Sequence, residues 1–385
     1  MEKERHDSKL IFALNAGSSS LKFALINELM NKVLYGLVSE IGKNSILTVN
    51  GNIESIDCTS HKNALEKIFT SIAKHGISMK QICAVGHRIV HGGVNLTAPM
   101  RVTSDVIAEI RACQHLAPLH NPHNLSGINA IADIFPELPQ IACFDTAFHS
   151  GNPAVATSYA LPINYVSEGF RRFGFHGLSY SSIVETLPKL SGHPLPGKLL
   201  AFHLGNGASE CAIVDGKSVA TTMGYSPLGG LTMGTRIGDI DGIAVLRLAE
   251  SLGIAETESL LNERSGLAGL ACGKSNMAEL LASQAPEAKF AVEHFCYWAV
   301  RHAGSMIAAM GGLDAIAFTG GIGENAHSVR SKIIRGLSWL GVEISEARNR
   351  DGSLRIDHPN SRSEIWIVPA DEEKEIARHV VRALG

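Results

Sequence analysis

Apolar positions recur along this chain with two periods, and the two alternate. Leu10–Leu14 and Leu21–Ile26 are short apolar runs around a Gly/Ser turn, which predicts two strands. Leu65, Ile68, Phe69 and Ile72 fall on one helical face. Gln81–Val85 predicts a strand, and Ser104–His115 a helix with Ser104 as its N-cap. Gln140–Asp145 predicts a buried strand ending in a carboxylate. Asp241–Ile254 and Ala291–Met310 predict helices. Ala315–Phe318 predicts a short strand, followed by a Gly-rich turn and a helix around Ser328–Gly341. Ser363–Val368 closes the strands, and Glu372–Leu384 is helical, with Ile376, Val380 and Leu384 at i, i+4 and i+8. Such alternation predicts an α/β fold.

At 385 residues the chain has room for two domains. The segment His149–Pro162 lacks periodicity and is the expected hinge. An internal echo supports a duplication. Ile11–Ile26 reads IFALNAGSSSLKFALI and Leu200–Asp215 reads LAFHLGNGASECAIVD. Aligning Gly17 with Gly207 gives 207 − 17 = 190, close to half the chain. Either two unrelated hairpins look alike, or two similar domains each offer a glycine hairpin to a shared cleft.

Composition narrows the function classes. An apolar share of 45% with 18% charged residues excludes a disordered chain. A net charge of −3 argues against broad binding to nucleic acid or to an acidic membrane surface. Seven dispersed Cys without a CxxC pair argue against a disulfide framework or a zinc site, and suit a reducing cytosol. Every apolar run breaks before 18 residues, so no membrane span is expected. Met1–Asp7 lacks the apolar core of a secretion signal.

Several segments carry candidate chemistry. Asn15-Ala-Gly-Ser-Ser-Ser-Leu-Lys22 sets Gly17 and the hydroxyls of Ser18–Ser20 between two strands, where amides and hydroxyls can ring an anion. His203-Leu-Gly205-Asn206-Gly207 is a second such turn. Phe318-Thr-Gly-Gly-Ile-Gly-Glu-Asn325 follows a strand and opens a helix, the setting for a nucleotide at a helix N-terminus. It lacks the last Gly of a dinucleotide fingerprint, having Ala326 there. Ala268–Ser275 misses the first Gly of a P-loop and is rejected as one. Arg88 and Arg236 both fall in glycine-flanked segments read as turns, and a planar guanidinium suits a transferring phosphoryl group. Nine of the 17 His fall between His87 and His203. His115, His120 and His123 flank Pro118 and Pro122 and read as a rigid loop, better suited to hydrogen bonding than to metal ligation. Asp145 can orient a substrate, hold Mg2+ through water, or cap a helix.

Taken together, LNAGSSSLKF, HRIVHGG, PLHNP, FDTAFH, RRFGFHG, HLGNGAS, PLGGLTMGTRIGD, FTGGIGEN and ADEEKEIA, in this order, resemble the acetate kinase family of short-chain carboxylate kinases over essentially the whole chain. The resemblance implies a duplicated actin/hexokinase/Hsp70-like (ribonuclease H-like) fold of two α/β domains with an interdomain cleft. Residues 1–149 would form the N-terminal domain, with 372–385 packing back on it, and 150–371 the nucleotide-binding domain. It implies reversible phosphoryl transfer between ATP and a small carboxylate with Mg2+ or Mn2+, in a cytoplasmic homodimer. The alternatives are a propionate kinase of the same family and a non-catalytic nucleotide-binding regulator on the same fold.

By matching motifs, Arg88 and Arg236 would grip the carboxylate and the transferring phosphoryl group, and His176 would hydrogen-bond the transition state. Asp145 would position substrate, beside His120 and His203. Asn15 would face phosphates and metal, and Glu372 would help hold the metal. Gly17, Ser18, Ser20, Lys22, Gly205, Asn206 and Gly207 would contact phosphate oxygens. Gly321, Ile322, Gly323 and Asn325 would flank the nucleoside. Val90, Leu119, Phe175 and Pro227 would form an apolar wall for a methyl group. Gly229 and Gly242 stand where the family has an acidic residue and Pro, and Leu178 and Tyr180 where it has Thr and His. Ser275-Asn-Met-Ala278 replaces the family's Ser-x-Asp-aromatic/Met-Arg segment.

Overall fold

The computed structural model describes residues 9–385; Met1–Asp7, where a secretion signal was sought, lies outside them. The chain divides into two compact units. One takes the residues up to Phe148 together with Asp371–Gly385, and the other takes His149–Ala370.

The first unit is an eight-stranded sheet. Its strands are β1 (Leu10–Ala16), β2 (Leu21–Asn27), β3 (Lys32–Ser39), β4 (Ile46–Val49), β5 (Asn52–Ser55), β6 (Ile82–Ile89), β7 (Met100–Arg101) and β8 (Gln140–Phe144). The order is β5-β4-β3-β2-β1-β6-β8-β7. β1 lies between an antiparallel β2 and a parallel β6, and β6 runs parallel to β8. Covered on both faces, β1 reads as an apolar run, LIFALNA, interrupted only by Asn15. Leu10, Phe12, Leu14 and Ala16 share a buried cluster with Leu65, Ile68, Phe69 and Ile72 of helix α1 (His61–Lys74) and with Ile131 of α3 (Asn121–Ile134). Each of these Leu, Ile and Phe side chains contributes roughly 1.5–3 kcal/mol on burial. Helix α2 (Ser104–Ala112) packs on α3. The C-terminal helix Glu372–Leu384 packs on β1, β2, β6 and β8. Gly86 permits that approach, because a Cβ there would overlap Ile376 and Val380.

The second unit is a five-stranded sheet of β9 (Lys198–Leu204), β10 (Ala208–Val214), β11 (Lys217–Thr221), β12 (Ala315–Thr319) and β13 (Glu364–Ile367). Its order is β11-β10-β9-β12-β13. β9 pairs antiparallel with β10 and parallel with β12, and β12 runs parallel to β13. Helix α4 (Gly177–Ser191) packs on β9, and the long α5 (Pro286–Met310) on β10. Phe202 and Phe318 stack in the core with ring centroids 4.9 Å apart.

Stripped of its edge strands, the first sheet has the connectivity and strand directions of the second, so the duplicated plan is present. The echo is in a different register from the one the sequence suggested. Ala16 pairs with Leu21 across the first hairpin, and Leu204 with Ala208 across the second. The offsets are 204 − 16 = 188 and 208 − 21 = 187, so Gly17 corresponds to Gly205 rather than Gly207. The first turn has four residues and the second three.

Other local expectations are corrected. The N-cap of α2 is Thr103, whose hydroxyl accepts from Val106 N, and the helix stops at Ala112 before a 3-10 turn over Cys113–Leu116. Asp241 is itself a cap, Gly253, with φ +85, ends the expected helix at Leu252, and a second helix, Ile254–Glu263, follows it. The Gly-rich segment after β12 is a short helix, Gly320–Asn325. No helix of the described residues is long and apolar enough to cross a membrane.

Candidate active site

Arg88 is on strand β6, not in a turn. Parallel pairing sets Ile89 beside Phe144, and Asp145 follows directly, its N–H donating to Ile89 O at 2.9 Å. The guanidinium and carboxylate then meet. Arg88 Nε lies 3.1 Å from both Asp145 oxygens, and Nη2 lies 2.7 Å from Oδ2. Asp145 is therefore no helix cap. Glu372, at the start of the C-terminal helix, puts Oε2 3.7 Å from Arg88 Nη1. Burial opposes the Arg88 charge, but Asp145 and Glu372 outweigh it and raise the guanidinium above its ordinary value. Burial raises Asp145, and Arg88 pulls against that rise.

The segments bearing Asn15 and Arg88 are tied together by α3. Asn124 donates from Nδ2 to Ala16 O at 2.8 Å and accepts from Val90 N at 3.1 Å. Asn121 accepts from His91 N at 3.1 Å and donates to His91 O at 3.0 Å. The residues read as a rigid loop thus open a helix: His120 is the N-cap position of α3, and Pro122 and His123 lie in its first turn. A proline costs nothing there because the first N–H groups have no helical partner. Leu119 just before it is exposed, whereas Val90 is buried. Sequence reasoning passed over Asn121 and Asn124; two amides three apart beside that Pro were the available signal.

In the β1–β2 turn, Gly17 N donates to Ser20 O at 2.8 Å, and His61 Nε2 meets Gly17 O at 2.7 Å. Ser18 is exposed and Ser20 half-buried. Asn15, next to last in β1, pairs with Lys22. Lys22 Nζ is 2.7 Å from Glu373 Oε1, a residue the sequence did not single out. Lys32 reaches both Glu373 and Asp371. Burial would raise Glu373, but Lys22 and Lys32 outweigh it and hold the carboxyl below its ordinary value.

The second unit builds its own cluster. His176 precedes α4 in the left-handed region, φ 58. Its Nδ1 is 2.8 Å from Ser209 Oγ, and its ring stacks on His203 with centroids 4.1 Å apart. His203 Nδ1 is 2.8 Å from Ser179 Oγ. The point that a Gly207 side chain would occupy lies 3.1 Å from His176 Nε2 and 3.4 Å from Arg236 Nη2. Arg236 Nη1 donates to Pro227 O at 2.7 Å. Gly234 lets the Arg236 segment lie against Asn206, whose carbonyl accepts from Gly234 N at 2.9 Å. Phe175 is fully buried, and its carbonyl meets His149 Nε2 at 2.9 Å.

Gly205 lies beside Gly321, a Cβ on Gly205 standing 4.0 Å from Gly321 N. Within the short helix, Asn325 Nδ2 donates to Gly321 O at 2.9 Å. Beneath it Arg330 is buried, donating to the carbonyls of Gly323 and Glu324 and to Asn349. Burial pulls Arg330 down to about 10. Ile322 and Gly323 belong to the same turn. Asn276, in the segment that departs from the family pattern, caps helix Met277–Ala282 through Ala278 N and Glu279 N.

Among the described residues no group of three or more His, Cys, Asp or Glu is placed to hold a metal. The first unit thus presents a bidentate-held guanidinium with oxygen donors nearby. The second presents a guanidinium, an imidazole and glycine turns around one point. Both are anion-binding chemistries.

Comparison with known proteins follows these motifs. The description "Acetokinase family" matches residues 10–378. An acetate kinase of Rhodopseudomonas palustris is 44% identical, over 97% of this chain and 98% of its own. One from Methylocella silvestris is 40% identical, over 98% of each. A propionate kinase structure from Francisella tularensis superposes with TM-score 0.91 at 37% identity, covering 96% of this chain and 98% of its own. An acetate kinase structure from Porphyromonas gingivalis gives 0.89 at 34% identity, covering 98% and 100%.

Proposed function

This chain belongs to the acetokinase family, and from that we propose that it transfers the γ-phosphoryl group of ATP reversibly to acetate, giving acetyl phosphate and ADP. The observation that carries the reading is the convergence of Arg236 Nη2 and His176 Nε2 on one point over the Gly205–Gly207 turn. A guanidinium and an imidazole aimed at one spot suit a phosphoryl group whose charge spreads over three oxygens. Arg88, fixed by Asp145, receives the acetate carboxylate. The turns bearing Gly17, Ser18 and Ser20, and bearing Gly205, Asn206 and Gly207, hold phosphate oxygens. Gly321, Ile322, Gly323 and Asn325 flank the nucleoside.

The transfer is direct. A carboxylate oxygen attacks the γ-phosphorus, and the bond to the β,γ-bridging oxygen breaks, leaving ADP. Acetate is ionised near neutral pH, since a carboxyl group titrates near ~4, so no general base is required. The protein supplies position and charge. A divalent cation belongs to the family's chemistry. Glu372 and Asn15 are hard oxygen donors of the kind Mg2+ or Mn2+ accepts alongside phosphates and water, and that ion would neutralise charge between the two anions.

A second acceptor, propionate, is favoured by the likeness to the Francisella propionate kinase structure. One methylene alters selectivity by only about 1–3 kcal/mol. Trapping with hydroxylamine across acetate, propionate and butyrate, with and without Mg2+, tests both readings. Acetate with ATP and Mg2+ should give the largest yield of hydroxamate; no product from any acid would overturn the reading.

The protein acts as a cytoplasmic homodimer on this reading. Helix Gly242–Leu252 has no buried residue and exposes Ile243 and Leu246, and Phe290 and Tyr297 of α5 are exposed as well. Light scattering should give twice the 41.1 kDa of one chain; a monomer would contradict it.

A further inference from the structure

Behind His176 runs a chain of hydroxyls that the transfer itself does not touch. Tyr180 and Ser209 are both buried, one on α4 and the other on β10. Tyr180 OH is 2.5 Å from Ser209 Oγ, and Ser209 Oγ is 2.8 Å from His176 Nδ1. We infer that Tyr180 and Ser209 are positioning residues that fix the tautomer of His176, placing its proton on Nε2 so that it donates to the transferring phosphoryl group. The inference rests on the role given to His176 above.

Counting protons along the chain gives the direction. A backbone hydrogen bond from His203 reaches the Tyr180 oxygen and occupies one of its lone pairs. The phenol proton is then directed to Ser209. Ser209 has one proton to give, and His176 Nδ1 is the next partner in line. A neutral imidazole that accepts at Nδ1 carries its hydrogen on Nε2. That nitrogen lies 3.1 Å from the point a Gly207 side chain would occupy, and Arg236 Nη2 lies 3.4 Å from the same point. The donor therefore faces the same spot as the guanidinium.

Burial supports a permanent order. It pushes the Tyr180 phenol well above its ordinary value, so the hydroxyl keeps its proton through the working range. The neighbouring ring has a parallel arrangement, with His203 Nδ1 on Ser179 Oγ and the two imidazoles stacked. Stacking fixes the plane of His176, while Ser209 fixes which edge carries hydrogen. Sequence position alone would read Ser209 as one more small residue after the glycine turn.

The test is NMR of protein labelled with 15N-histidine, since the two neutral tautomers have distinct ring nitrogen shifts. His176 should be in the Nε2–H form in the wild type. Ser209→Ala should shift it towards a mixture with the Nδ1–H form and lower kcat about 10- to 100-fold with KM nearly unchanged. Ser209→Thr keeps a hydroxyl and should restore both. Tyr180→Phe, which preserves the ring, should give a smaller shift in the same direction, and serves if Ser209→Ala does not fold. A wild-type ring in the Nδ1–H form overturns the inference, as does an unchanged tautomer in Ser209→Ala. A shifted tautomer with full kcat instead overturns the role of His176 in transfer, while leaving its hydroxyl support in place.

Discussion

Arg88 holds the buried carboxylate of Asp145 with two nitrogens at once, Nε at 3.1 Å and Nη2 at 2.7 Å, from a neighbouring parallel strand. A bidentate pair fixes the plane of the guanidinium as well as its position. The remaining Nη1 faces Glu372 at 3.7 Å, too long for a hydrogen bond.

Asp145→Asn removes the charge beneath Arg88 and keeps the shape. Breaking a buried pair costs about 3 kcal/mol, and misplacing a substrate-gripping group costs about 100-fold in rate. Both a lower melting temperature and a kcat/KM for acetate reduced by that order are expected. Steady-state kinetics beside a thermal melt would check it; wild-type values in both would remove Asp145 from its role.

Arg236→Ala should lower kcat on the order of 10³-fold, as loss of an arginine does elsewhere in phosphoryl transfer. The main fold should survive, with a melting temperature near that of the wild type. Near-normal turnover in the purified variant would contradict the assignment.

Much of this was legible in the sequence, and for stated reasons. β1, β8, β9 and β12 are buried on both faces, so their apolar runs stood out, whereas β6 showed only up to Val85 because Gly86-His87-Arg88 reads as a turn. The strands β3 to β5 were hidden. β3 alternates exposed and buried residues around Gly36, and β5 is exposed throughout. α3 was masked by Pro118 and Pro122, since prolines signal loops as readily as helix starts. Arg88 and Asp145 were each legible as residues, but their pairing depends on the β6–β8 register, which no local pattern encodes. Arg330 gave no signal: a lone arginine in a helical pattern reads as exposed, yet this one lies under the Gly320–Asn325 turn.

The buried histidines set an acid limit. Burial pushes His87 and His149 down to about 4 from 6.5. Between those values the unfolded chain binds more protons than the folded one, so stability falls as pH drops from about 6.5 to about 4, by roughly 3 kcal/mol per ring at the limit. His87, bonded to Gln140 Oε1 at 2.7 Å, is the simpler to replace. Urea unfolding of His87→Gln should show a smaller stability loss between pH 7 and pH 5 than the wild type. Parallel losses would contradict the prediction.

Glu210 on β10 acts with the opposite sign. It is fully buried, and neither carboxylate oxygen has a hydrogen-bond partner. Burial drives its carboxyl well above the ordinary 4.5. The folded chain keeps a proton that the unfolded chain releases, so the cost grows as pH rises above that value. Glu210→Leu should raise the melting temperature by a few degrees, at about 2–4 °C per kcal/mol, and more at pH 8 than at pH 5. A lower melting temperature at both pH values would show that the carboxyl is satisfied after all.

Phosphoryl transfer from nucleotide to carboxylate is the claim on which the rest depends, and 31P NMR of the purified protein with ATP, acetate and Mg2+ observes it directly. An acyl phosphate resonance should grow in step with ADP, and should reverse when ADP and acetyl phosphate are supplied instead. ATP that stays intact, or that yields only inorganic phosphate, would contradict the account.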